Sequence, residues 1–127
     1  MSRVFILEDD EYRRSWFSQR FDGHELEMTA DVLVAIEWLR EREYDLIFLD
    51  HDLKDEHYYQ ELADDGTTGY VVALWLAENP EFHAEVEIII HSLNLPGSKR
   101  MRECLQNSGR KAEHMPFPYL PAMFRRS

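Results

Sequence analysis

The sequence predicts an α/β domain, a doubly wound, mostly parallel five-stranded sheet flanked by helices. Short apolar runs alternate with amphipathic helical patterns along the chain. The run Leu46–Leu49 is apolar without interruption and Val86–Ile90 nearly so, the mark of strands buried on both faces in a sheet covered by helices. No internal repeat, low-complexity stretch or linker divides the pattern, so residues 1–127 read as a single domain, with the weakest pattern from about residue 110 onward.

Each element has its own signal. Val4–Leu7 is a short strand closed by Glu8-Asp9-Asp10-Glu11. Tyr12, Trp16, Phe17 and Phe21 recur at helical spacing until Asp22-Gly23 ends that helix. Glu25–Thr29 alternates, with Leu26 and Met28 on one face, as an edge strand does. Asp31 can cap a second helix whose apolar face is Val32, Leu33, Ala35, Ile36 and Leu39. Leu46–Leu49 is the expected central strand, stopped by Asp50-His51-Asp52.

A polar connection spans 53–66, long enough to suggest a functional loop. Thr67 or Thr68 then caps a helix through Tyr70, Val71, Leu74, Trp75 and Leu76, ended by Asn79-Pro80. Val86–Ile90 runs into His91-Ser92-Leu93-Asn94. Pro96-Gly97-Ser98 reads as a turn into a basic amphipathic helix bearing Met101, Cys104 and Leu105 and stopped by Gly109, and a fifth strand is expected within Ala112–Phe117. Trp16, Trp38 and Trp75 lie in helical patterns and are read as core residues.

Composition narrows the function. Acidic residues outnumber basic ones 25 to 14, the opposite of a free-standing nucleic-acid binder, so no DNA partner is expected. The same excess favours cation binding wherever carboxylates converge. The single cysteine, Cys104, permits no internal disulfide and is read as a small buried hydrophobe. No apolar stretch is long enough to span a bilayer, and the start does not resemble a signal peptide, so a cytoplasmic location without membrane association is expected.

In a doubly wound sheet, ligands sit beyond the carboxyl ends of the strands. Three strand ends carry polar groups there: Glu8-Asp9-Asp10, Asp50-His51-Asp52 and His91-Ser92-Leu93-Asn94. Carboxylates crowded together need a cation or raised pKa values, and an oxygen-rich site suits Mg²⁺ or Mn²⁺. His51 and His91, at neighbouring strand ends facing a solvent-filled cleft, could supply a general base and a general acid. His24, His83 and His114 have no comparable setting and are expected at the surface; His57 is set apart only by its place on the long loop. Asn94 to Arg100 enters a helix, where free amides together with Lys99 or Arg100 could bind an anion. No zinc spacing, phosphate-binding glycine loop of the Walker type or dinucleotide fingerprint is present.

These strings resemble a response-regulator receiver, a flavodoxin-like fold, over the chain up to about Gly109. The resemblance implies a Mg²⁺ site at Glu8, Asp9 and Asp50, with Asp10 able to replace Glu8 if the register shifts by one, phosphoryl acceptance by Asp50, and a hydroxyl at Ser92. The lysine that receivers carry at the end of strand five is missing, since Lys111 precedes the expected strand. ILEDDEYRR, LDHDL, TTGY and HSLNLPGSKRM are more similar to the cyclic-phosphate-processing receiver-like family, which implies a metal-dependent phosphoesterase acting on cyclic phosphates.

Under that implication Glu8, Asp9 and Asp50 hold Mg²⁺ or Mn²⁺, and His51, His91 and Asp52 are the catalytic residues. Ser92, Asn94, Lys99 and Arg100 bind phosphate, and the substrate is a small cyclic phosphate, a nucleotide or an RNA end. Two alternatives remain: a phospho-accepting signalling receiver, and a non-catalytic pseudo-receiver that binds a protein partner.

Overall fold

In a computed structural model, which describes residues 2–53 and 68–123, the five strands form one parallel sheet in the order β2-β1-β3-β4-β5. The strands are β1 Arg3–Leu7, β2 Glu25–Thr29, β3 Leu46–Leu49, β4 Glu87–Ile90 and β5 Ala112–His114. The helices are α1 Glu11–Arg20, α2 Val32–Glu41, α3 Gly69–Glu78, α4 Leu95–Asn107 and the short α5 Leu120–Met123, the last preceded by a 3₁₀ turn over Phe117–Tyr119. β3 is central, as its unbroken apolar run predicts. The long connection expected over 53–66, with His57 and the alternative cap Thr67, lies outside the described residues apart from its first residue, Leu53, which is buried.

Successive strand residues face opposite sides of the sheet, and both sides are covered. Phe5, Leu7, Ile47, Leu49, Ile88 and Ile90 pack with residues of α2, α3 and α4. Val4, Ile6, Phe48 and Ile89 pack with Phe17 and Phe21 at α1 and with Phe117 and Leu120 near the C-terminal end. Helix starts obey capping chemistry: Asp10, Asp31, Thr68 and Asn94 each accept a bond from a backbone N–H in the first turn of their helix.

Arg110 is buried, and its guanidinium donates to the carbonyl oxygens of Leu76, Asn79, Phe82 and His83. These groups lie at the C-terminal end of α3 and just beyond it, where unpaired carbonyls and the helix dipole favour a cation.

Several sequence expectations need correction. Leu33 and Tyr12 are 73% and 74% exposed, because a 3.6-residue period turns them away from the sheet that their neighbours cover. Pro96, Gly97 and Ser98 form the first turn of α4 and not a turn before it, since Asn94 caps the helix two residues ahead of the proline. β5 spans only Ala112–His114. Cys104 is half-buried. His83 and His114 are only partly exposed and hold backbone carbonyls, those of Leu39 and Ser92.

Candidate functional site

Register builds the site. Leu7 pairs with Leu49, and Leu49 with Ile90, so Glu8, Asp50 and His91 continue three adjacent strands by one residue each. All three prolong the side of the sheet that bears Ile6, Phe48 and Ile89. Their carboxylates and imidazole each offer a ligand atom, all within 4.8 Å of one another, and all three residues are buried. His51 and Asp50 leave the chain in opposite directions, so the two histidines do not pair across one cleft.

Glu8 is the most heavily bonded. One carboxylate oxygen lies 2.6 Å from His91 Nε2. The other accepts from the backbone N–H of Asp9 and Asp10 and lies 3.2 Å from Arg13 Nε. Burial alone would raise its pKa, but the bond and charge of His91, the Asp10 amide and Arg13 hold it below the ordinary value.

Asp50 is pushed the other way, up to about 6, chiefly by burial and further by Glu8, against the pull of His91, Arg13 and the His51 amide. Its Oδ1 accepts from His51 N at 2.8 Å. Its Oδ2 is buried without a hydrogen bond among the described residues, 3.6 Å from Arg13 Nη2. Two neighbouring carboxylates whose pKa values are driven apart are characteristic of functional sites.

The other constellation is built on His51. Its Nδ1 lies 2.7 Å from Asp52 Oδ1, and Asn94 Nδ2 donates to the same oxygen at 3.1 Å. Asn94 Oδ1 meanwhile accepts from Gly97 N. A Cβ on Gly97 would lie 2.6–2.7 Å from three ring atoms of His51, so α4 approaches the face of the ring as only glycine permits. Gly69 is equally constrained: its N–H donates to His51 O, and a Cβ there would lie 1.8 Å from the Asp50 carbonyl oxygen.

The other sequence-predicted residues fall around these two groups. Asp10 caps α1, so Glu8 and not Asp10 supplies the strand-one carboxylate beside Asp50. Asp9 is half-buried and outside the three-donor group. Ser92 is buried, its hydroxyl accepting from Asn94 N. Lys99 and Arg100 are exposed on α4.

The anion-binding helix start needs correction. Pro96 has no N–H, and the N–H groups of Gly97 and Ser98 already donate to Asn94. The expectation that both histidines face solvent is also corrected. His91 is fully buried, with its ring against Phe17 and Phe48, and His51 is 3% exposed.

Sequence reasoning missed Arg13. Its one signal is position: it lies in the first turn of the helix after the acidic strand end, and helical side chains lean toward the N-terminus. Lys111 precedes β5, pairing at 3.8 Å with Glu85, and no lysine comes after β5 among the described residues.

A divalent cation suits the donors present. Two carboxylates and an imidazole converge, and both Asp50 Oδ2 and His91 Nδ1 are buried without hydrogen-bond partners among the described residues. Mostly oxygen donors with one nitrogen match Mg²⁺ or Mn²⁺.

Among solved structures, a response-regulator receiver domain of Methanospirillum hungatei JF-1 is similar at TM-score 0.69 and 18% identity, over 98% of this chain and 88% of that one. The receiver domain of a sensor histidine kinase of Pseudomonas aeruginosa PAO1, described with a magnesium ion in its active-site cleft, is similar at TM-score 0.70 and 20% identity, over 98% and 92%. The receiver domain of a LuxO-type repressor from Vibrio parahaemolyticus is similar at TM-score 0.65 and 20% identity, over 92% and 78%. These likenesses establish the fold. A comparison with curated proteins found no match. The family model of the cyclic-phosphate processing receiver domain matches residues 4–107, most of the chain. With the parallel sheet and the acidic cluster at its carboxyl edge, that match places the chain in the cyclic-phosphate processing receiver domain family.

Proposed function

We propose that the chain is a metal-dependent phosphoesterase that opens a cyclic phosphate, on a nucleotide or an RNA end, to a phosphomonoester. The observation that carries this reading is the buried group Glu8, Asp50 and His91, whose donor atoms converge within 4.8 Å at the carboxyl edge of the sheet. Glu8 and Asp50 would hold Mg²⁺ or Mn²⁺, with Asp9 beside them and His91 either completing the set or orienting Glu8. The ion, when bound, supplies charge to polarise the phosphoryl oxygens and lowers the pKa of a bound water.

The chain's own residues divide the remaining work. His51, buried on the other side of the strand end from Asp50 and oriented there by Asp52 and Asn94, is the group to take a proton from an attacking water that reaches its ring at Nε2. His91, fully buried on Glu8, acts as a positioning residue and not as the acid that touches substrate. Lys99 and Arg100, exposed on α4, would supply charge for a phosphate, and the buried Ser92, whose hydroxyl oxygen accepts from Asn94 N, keeps its hydroxyl hydrogen to donate to one.

The test is a panel of 2′,3′- and 3′,5′-cyclic nucleotides and a cyclic sugar phosphate, with Mg²⁺ or Mn²⁺, monitored by ³¹P NMR. Metal-dependent appearance of a phosphomonoester is expected, abolished by Asp50→Asn. No turnover of any compound with either metal refutes the reading.

A signalling receiver is the second reading, favoured by Asp50 Oδ2, which has no hydrogen bond among the described residues, and by the receiver-like fold. A gain of one phosphoryl mass at Asp50 on incubation with acetyl phosphate would establish it. Neither turnover nor phosphorylation would leave the pseudo-receiver, a protein-binding module.

A further inference from the structure

Arg13 lies where a cation is most needed. Its guanidinium spans both carboxylates of the site, 3.2 Å from Glu8 and 3.6 Å from Asp50. Those contacts place it next to Asp50 Oδ2, the buried oxygen without a hydrogen bond among the described residues. The fold otherwise provides no lysine at the end of β5 among the described residues. Arg13 is nonetheless held by charge more than by directed hydrogen bonds. Its side chain is 23% exposed, its Nε makes no well-directed hydrogen bond among the described residues, and its guanidinium lies 5.8 Å from the Phe117 ring centroid, a second favourable contact for a cation.

We propose that Arg13 is the resident counter-cation of this site. It neutralises Glu8 and Asp50 while no metal is bound, yields that position to an entering divalent cation, and then holds a phosphate oxygen from the rim. The inference rests on the metal-site reading of Glu8 and Asp50. Its physical basis is that one small group of buried carboxylates cannot accommodate a guanidinium and a divalent ion on the same oxygens, so the two compete. A planar guanidinium released from carboxylates keeps the fork geometry that suits phosphate. The arrangement keeps metal affinity lower than the carboxylates alone would set.

The test uses the full chain, wild type, Arg13→Met and Arg13→Lys, with calorimetric titration of Mn²⁺ and then of inorganic phosphate into the Mn²⁺-loaded protein. Arg13→Met is expected to bind Mn²⁺ about tenfold more tightly or better, since a unit positive charge beside the site is gone. It should bind phosphate about tenfold more weakly, one charge-assisted contact having been lost. Arg13→Lys, which keeps the charge, should fall between the two for Mn²⁺ and guards against loss of fold in the methionine variant.

Wild type that binds Mn²⁺ no more weakly than a folded Arg13→Met overturns the exchange. Tighter Mn²⁺ binding with undiminished phosphate binding confirms the exchange and removes the phosphate role. Binding by Arg13→Met alone supports the exchange strongly. No Mn²⁺ binding by any of the three proteins overturns the metal site itself, and the inference with it.

Discussion

Asp50→Asn should stabilise the metal-free protein at neutral pH. The side chain is 4% exposed, and burial raises the Asp50 pKa from an ordinary 3.8 to about 6. A folded-state pKa above the unfolded value means that the native state keeps a proton which the unfolded chain releases. Stability therefore falls as pH rises from about 4 to about 6, and the cost is fully present above that window.

Two pH units and a fraction, at 1.36 kcal/mol each, set the scale at about 3 kcal/mol. Asparagine has nearly the same shape and no charge, so it escapes that cost. The variant and the wild type should be close at pH 4 and diverge through the window, the variant gaining up to about 3 kcal/mol at pH 7.5.

The assay is urea unfolding in chelator at pH 4.5, 5.5 and 7.5, read from the fluorescence of Trp16, Trp38 and Trp75. At the usual urea slopes the midpoint should move by roughly 1–3 M. Added Mn²⁺ should then raise the midpoint of the wild type and leave that of the variant nearly unchanged. A variant that is no more stable than wild type at pH 7.5, or whose advantage does not shrink on acidification, would refute the reasoning.

The close approaches around the site make further expectations. Gly69→Ala drives a methyl into the Asp50 carbonyl, a backbone atom with nowhere to go, and should cost at least about 3 kcal/mol, read as a lowered melting temperature. Gly97→Ala meets a side chain, the His51 ring, so it should cost less stability and more turnover; an unchanged rate would argue against His51 in the chemistry. His51→Ala should lower turnover by a factor of about a hundred to ten thousand, whereas His91→Ala should lower the melting temperature first, because it strips a buried Glu8 of its partner. Equal melting losses in the two histidine variants would contradict that division. Arg110→Met removes the donors that hold four backbone carbonyls at the end of α3 and beyond it, and should cost about 3 kcal/mol in denaturant, with activity per folded molecule unchanged.

Much of the architecture was legible in the sequence for local reasons. The apolar run of β3, the caps Asp31 and Thr68 and the acidic stops after β1 and β3 act through neighbours in the chain, so composition and period reveal them. The same locality identified the strand ends as the place to look for chemistry. It also indicated a missing lysine, since that absence depends only on the few residues next to β5 in the chain.

Tertiary structure alone decided how the strand-end residues divide. Glu8, Asp50 and His91 share a face because three parallel strands are in register, and registers are set by packing between distant segments. His51, one residue from Asp50, turns to the opposite side and rests on Gly97, forty-six positions away. Arg13 enters because α1 folds back over the strand ends, and its proximity to two carboxylates has no counterpart in local pattern. Burial decided the rest: a histidine that looks exposed at a strand end becomes fully enclosed once α1 brings Phe17 against it, and the charges beside it then shift because water is gone.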